Sequence, residues 1–309
     1  MTSAVSPPRS FGQRWLIDPL ELAALWLAVA CFRCFSPETA SNFGGRAARL
    51  IGPLLPISNR ARQNFRHVAP ELSARQIEDL VKGTWENHGR VFAEMPHLET
   101  MLANGLVETL ADDLEALKQA KNGDRPLIFV GGHLANFELF GLVAAELGYP
   151  VTAIYRAPNN PLVDQFWRHL RGRTQLVPKS AEGARLAMKA LADRGNLALL
   201  IDQKFNEGIE VPFFGKPAMT TPAPAHFAAR FKAPIIFCWA ERLGPARYRL
   251  RAEIVHRAEA TENSGSARRA AVFETTLRIN QVLERQVREK MQDWFWLHRR
   301  WGKISQTEK

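Results

Sequence analysis

The stretch "VGGHLANFELFG", residues 130–141, sets a histidine after an apolar run and two glycines, and a carboxylate five residues further on. His133 and Glu138 are the residue types of a general base and its orienting acid. An imidazole that donates one N–H to a carboxylate is fixed in one tautomer, and its other nitrogen can take a proton from a substrate hydroxyl. The spacing restricts how the two can meet. Five residues on a continuous α-helix turn through about 500°, so the two side chains would face different ways. They share a site only if His133 lies in a turn and Glu138 sits in the first turn of the helix that follows, where the helix dipole also favours a carboxylate. The pattern H-x4-E occurs often by chance, and alone it fits a buried structural histidine as well. What favours chemistry is its place after Gly131-Gly132, at the end of an apolar run, with Asn136 between its two members.

The elements that must position this pair begin at residue 126. Short apolar runs at 126–132, 151–157, 174–179, 197–203, 233–243 and 247–255 read as strands. Helical stretches at 135–147, 161–171, 181–193 and 222–232 fall between most of them, and a long helix at about 266–290 follows. This alternation predicts an α/β fold with a mixed, largely parallel central sheet flanked by helices. The last two strands, joined by "GPA", are expected to form an antiparallel edge pair. In such sheets ligands bind beyond the carboxyl ends of the strands, which is where His133 falls. Tyr155 and Arg156 end the second run at the same edge, and Asp202 and Gln203 end the run at 197–203. An acid and an amide closing an apolar strand are costly to bury unpaired, so both are candidate site residues beside the plainer reading of a surface turn. The tail "WFWLHRRW", 294–301, adds Arg299 and Arg300 among three tryptophans, and reads equally as a docked C-terminal helix or a membrane-interface element.

Upstream, residues 36–122 are helical in pattern, with Ile77, Leu80, Val81, Trp85 and Val91 near one stripe and Ser73 as an expected N-cap. The organisation predicted is a leader and apolar anchor segment at 1–35, a helical N-terminal subdomain at 36–122, and an α/β core with a C-terminal helix at 123–309. The anchor segment, residues 14–35, holds an uncharged run from Leu22 to Phe32 that is about half of the roughly 20 apolar residues a spanning helix wants. A shallow or amphipathic anchor is therefore expected. A signal peptide and a soluble core helix are its rivals.

Composition sets the outer limits. The chain has 309 residues, with 41 Lys plus Arg against 31 Asp plus Glu, for a net charge of +10. Such a surface suits anionic partners: nucleic acid, anionic lipid or an acidic protein. None of the common nucleic-acid reader motifs is present. Nor is there a G-x-S-x-G elbow, an H-E-x-x-H, a P-loop or a Rossmann fingerprint, which disfavours serine hydrolase, zincin, NTPase and dehydrogenase chemistry. Cys31 and Cys34 lack a second pair or a histidine at ligand spacing, so reduced thiols are expected, with no metal and no cofactor.

Several blocks in one order resemble the late (secondary) acyltransferases of lipid A biosynthesis, the lauroyl/myristoyl transferase family. They are "WENHGRVFAE" (85–94), "GGHLANFE" (131–138), "YRAPNNPLVD" (155–164), "IDQ" with "VPFFGKPAMTT" (201–221), and "WFWLHRRW" (294–301). The resemblance implies a glycerolipid-acyltransferase-like fold. It also implies transfer of a fatty acyl group from acyl carrier protein to the hydroxyl of a hydroxyacyl chain on a lipid A precursor, at the cytoplasmic face of an anionic inner membrane. His133 and Glu138 match that family's H-x4-(D/E) pair, and Arg156 and Asp202 fall in its later polar blocks. Phe137 stands where relatives often carry Trp. Asn136, Tyr155, Gln203, Arg299 and Arg300 are expected to join Arg156 and Asp202 in substrate binding. A glycerophospholipid acyltransferase and a non-enzymatic basic membrane-surface protein are the alternatives.

Overall fold

The computed structural model of the chain describes residues 12–121, 123–257 and 265–302, so most of the expected leader, residues 1–11, lies outside the described residues. A π-helical turn at Gln13–Ile17 runs directly into α1 (Asp18–Arg33). Together they make one helix of 21 residues, long and apolar enough by length and composition to cross a membrane, although the uncharged run alone is about half that long. Asp18 and Glu21 precede that run, and Asn160 reaches both, donating to the Asp18 backbone carbonyl at 3.0 Å and to Glu21 Oε2 at 2.8 Å. Pro19 lies inside this continuous helix, directly after the π-helical turn, and has no N–H to donate to that turn.

The helices α2 (Pro37–Ile51), α3 (Ser58–Val68), α4 (Ala74–Glu94) and α5 (Leu98–Ala103) follow. Ser73 caps α4 as expected, in a reciprocal capping box with Gln76. The sequence missed a strand here. β1 (Val107–Thr109) precedes α6 (Ala111–Lys121) and pairs parallel to the last strand of the sheet, so the segment 36–122 is not purely helical. Three residues, "VET", carry no usable alternation, and only the neighbouring strand makes them a strand.

The α/β part runs β2 (Ile128–Gly131), α7 (Leu139–Glu146), β3 (Val151–Tyr155), α8 (Pro161–Leu170), β4 (Gln175–Pro178), α9 (Ala181–Ala192) and β5 (Asn196–Leu200). A hairpin of β6 (Ile209–Phe213) and β7 (Lys216–Thr220), α10 (Ala223–Phe231), the pair β8 (Ile235–Gly244) and β9 (Arg247–His256), and α11 (Gly265–Glu289) complete it. The central sheet has seven strands in the order β1-β9-β8-β2-β5-β3-β4. All pairs are parallel except β8 with β9, as expected, but β1 rather than β9 forms the edge. The four-residue β2 is buried throughout at the centre of the sheet, and its apolar run explains why: strands covered on both faces cannot alternate. The main core packs Ile128, Val130, Leu199, Phe237 and Leu283 against Phe65 and Val81 of the N-terminal helices. Both halves of the chain thus share one core.

The tail does not form the helix considered for it. After a short turn at Met291–Asp293 it makes an isolated bridge at Trp294 and then runs through further turns, with Trp294 and Trp296 fully buried. That burial removes the membrane-interface reading for these two residues, because neither ring reaches the surface.

Candidate active site

Parallel register builds the site. β2 and β5 are neighbours with Gly131 opposite Leu200, so the residues two beyond each strand, His133 and Asp202, emerge side by side. His133 Nδ1 lies 2.8 Å from Asp202 Oδ1, and the His133 backbone N–H donates to Asp202 Oδ2 at 2.7 Å. Gly132 permits this approach, since a Cβ there would stand 2.7 Å from Leu283 and 3.3 Å from the Asp202 carboxylate. Trp294 Nε1 also donates to Asp202 Oδ2, at 2.8 Å, so the fully buried carboxylate accepts three N–H groups. Burial disfavours its charge, but the adjacent His133 outweighs this and holds Asp202 well below the usual carboxylate range. The same pair acts on the imidazole. Burial opposes its protonation, Asp202 overrides that with a smaller push from Glu138, and the ring is held above the ordinary histidine range.

Glu138 therefore does not orient His133 as expected. Its carboxylate is paired with Arg171, which donates from Nε at 2.6 Å and from Nη2 in a bidentate fork. The cause is local. Helix α7 begins at Leu139 rather than 135, because Ala135 has φ of 47° and its N–H donates to the Asp293 carbonyl at 2.8 Å. Glu138 sits at the N-cap and turns toward α8, while Asp202 occupies the place beside Nδ1. Arg171 had no motif to mark it beyond the basic run "HLRGR".

The histidine turn is clamped by the tail: Phe295 N–H donates to the His133 carbonyl at 3.1 Å, and Leu134 forms a bridge with Trp294. Phe137 meets the imidazole edge-on at 4.7 Å between centroids, and Phe295 lies at 5.8 Å. Asn136 points away from the cavity and donates to Glu94 Oε2 at 2.9 Å. The buried Glu94 also accepts from Ser41, Arg242 and Tyr248, each at 2.6 Å, so Asn136 ties the turn to α4 and β8. It is fully buried and does not line the cavity.

A cavity of 1010 Å³ is lined by His133 and by residues of α7. Its deeper walls are apolar, with Leu117, Phe129, Leu142, Ala144, Ala153 and Ala198 among them, and its rim carries Arg156, Lys179 and Lys204. His133, Glu138, Tyr155, Arg156 and Gln203 all line it. Tyr155 is engaged, donating to Asp164 at 2.8 Å, and burial and that carboxylate push its hydroxyl up to about 12. Arg299 is exposed outside the lining. Arg300 is fully buried and donates to the Met219 carbonyl at 2.9 Å and to Thr220 Oγ1 at 2.6 Å, bracing the β6–β7 hairpin. It does not line the cavity. Among the described residues no cluster of three or more His, Cys, Asp or Glu is arranged to hold a metal ion.

The arrangement can remove a proton from a hydroxyl bound beside His133 in this largely apolar cavity. Comparison with known proteins points the same way. A search of curated sequences returns no match. The family model described as bacterial lipid A biosynthesis acyltransferase matches residues 10–303, nearly the whole chain. This chain belongs to the bacterial lipid A biosynthesis acyltransferase family, and a lipid A precursor is the substrate which that membership implies.

Proposed function

We propose that the protein moves a fatty acyl group from the thioester of acyl carrier protein onto the hydroxyl of a hydroxyacyl chain of a lipid A precursor, with His133 as general base and Asp202 as its orienting acid. The observation that carries this reading is the 2.8 Å contact between His133 Nδ1 and Asp202 beside the cavity. With Nδ1–H donated to the carboxylate, Nε2 is the nitrogen left to take the proton. The acceptor hydroxyl gives its proton to Nε2 as its oxygen attacks the thioester carbon. The tetrahedral adduct then collapses, the C–S bond breaks, and the departing thiolate takes the proton back from the imidazolium. Asp202 stabilises that cation between the two transfers. Glu138 contributes through its field and by neutralising Arg171, not through a hydrogen bond to the ring.

The apolar depth of the cavity suits a fatty chain. Arg156, Lys179 and Lys204 on the rim suit the phosphates of a lipid or of a carrier's prosthetic arm, and Arg299 is a further docking residue for an acidic carrier. The helix of Gln13–Arg33 would anchor the enzyme at the cytoplasmic face of the inner membrane. Mass spectrometry of lipid A from cells with and without the gene tests the reading. Loss of one secondary acyl chain on deletion is expected. Unchanged lipid A with altered glycerophospholipids would refute it and assign a glycerol-type acceptor.

A further inference from the structure

Outside the site and beyond the exposed apolar side chains of the Gln13–Arg33 helix, a second set of exposed apolar residues lies at the turn between α2 and α3, "RLIGPLLPISNR", residues 49–60. Leu54 is 82% exposed, Leu50 76%, Phe43 58% and Ile51 57%, with Leu55 and Ile57 also open. Phe43, Ala47, Leu50 and Leu54 recur at spacings of four, three and four, so they form a stripe rather than a scatter. Isolated exposed leucines are ordinary; a contiguous set of this kind marks a contact surface.

The turn is also built to stay presented. Ser58 Oγ donates to the Gly52 carbonyl at 2.7 Å, Trp85 Nε1 donates to Ser58 Oγ at 2.8 Å, and Arg62 Nη2 donates to the Pro53 carbonyl at 3.0 Å. Trp85 packs so closely on Gly52 that any Cβ there would lie 2.1 Å from the indole. The polar groups of the turn are thus satisfied inward, and the leucines are left pointing out.

Charge identifies the occupant. Between Glu38 and Glu71 the chain carries Arg46, Arg49, Arg60, Arg62 and Arg66 and no acid. Among the described residues Arg46 and Arg60 enter no ion pair, and Arg46 lies one turn from Leu50. A second copy of the same face would set cation against cation. An anionic headgroup layer over acyl chains matches both parts: arginines at the phosphates and leucines below them. The face is also continuous with α1, since Phe32 near the end of that helix packs on Phe43 at 6.3 Å.

We infer that the α2–α3 turn is a second membrane-inserting surface, in which Leu50, Ile51, Leu54 and Leu55 enter an anionic bilayer under Arg46 and Arg60. This rests on no reading of the reaction. It also orients the enzyme: α4 carries Trp85 against the turn and, three residues on, His88, whose ring lies 4.8 Å from Phe295 beside His133. The membrane contact and the catalytic turn are braced by one helix.

The test uses the full chain with Cys31→Ala and Cys34→Ala, the exposed thiols; burial pushes the remaining Cys238 thiol up to about 12, so it reacts poorly. A fluorophore on Leu54→Cys is read in vesicles containing phosphatidylglycerol, and one on Lys189→Cys is the solvent control. Doxyl groups on the acyl chains should quench the label at 54 roughly tenfold more than aqueous iodide does, with the reverse at 189. Equal iodide access at 54 and 189 would overturn the inference. Protection of position 54 from both quenchers would also overturn it, assigning the face to a protein contact such as a second copy.

Discussion

Replacing Asp202 by Asn separates the two acids near His133 more sharply than any other change. Asp202 Oδ2 accepts from both the His133 backbone N–H and Trp294 Nε1, at 2.7 and 2.8 Å, while Oδ1 faces His133 Nδ1. An amide has one acceptor oxygen, and the two fixed donors claim it. The NH2 group must then face Nδ1, which it can satisfy only if Nδ1 carries no proton. The ring is left with its proton on Nε2, where it cannot accept one from the substrate. Loss of the correct tautomer in a histidine–aspartate pair costs about 10⁴ in turnover, so Asp202→Asn is expected to lower kcat by about 10³–10⁴. Oxygen and nitrogen are nearly the same size, so the fold should survive with a penalty of about 1–3 kcal/mol. The assay is single-turnover acyl transfer from labelled acyl carrier protein, beside thermal unfolding of the same sample. A folded Asp202→Asn protein within tenfold of the parent rate would refute the tautomer argument.

Four further outcomes follow from the same geometry. Because His133 is held above its ordinary value of 6.5 and acts only when neutral, kcat/KM should rise with pH through a pKa above 6.5, and that limb should move to lower pH in Asp202→Asn. The raised pKa also means that the stability His133 contributes is fully present below the unfolded value and is lost as pH rises through the folded one, which thermal unfolding between those pH values would read. Glu138→Gln should leave Arg171 largely uncompensated and cost on the order of 2–3 kcal/mol, while Glu138→Gln with Arg171→Met should recover most of it; a double variant whose loss equals the sum of the two single losses would show that the pair is not coupled. Ala144→Leu and Ala153→Leu fill the cavity lining, so competition between long and short acyl donors should shift toward the short, and an unchanged ratio would place the chain elsewhere.

Six of the strands from β2 onward were readable as runs closed by glycine, proline or charge, and the structure reproduces those six to within a few residues, whereas the β6–β7 hairpin was not read, since Pro212 and Pro217 each argue against a strand. What the sequence could not carry was adjacency. Asp202 was recognisable as an acid closing a strand, but its partner lies 69 residues away, and only the β2–β5 register brings them together. Glu138 looked the better partner because it is near in sequence; Ala135, held with positive φ by the tail, delays the helix and turns Glu138 to Arg171. The three tryptophans of the tail read as either core or interface, since aromatic rings serve both. The burial of Trp294 is decided by its bond to Asp202, a contact no local pattern encodes. Arg300 misled for the same reason: its charge suggested a ligand, whereas the hairpin that absorbs it is a feature of the tertiary fold.

The proposed chemistry turns on His133 as the base. The most direct measurement is kcat of His133→Ala in reconstituted membranes, with acyl carrier protein thioester and lipid A precursor both saturating, alongside its melting temperature. A loss on the order of 10²–10⁴ in a protein that melts near the parent temperature is the expected result. Turnover close to the parent in a folded His133→Ala protein would contradict it.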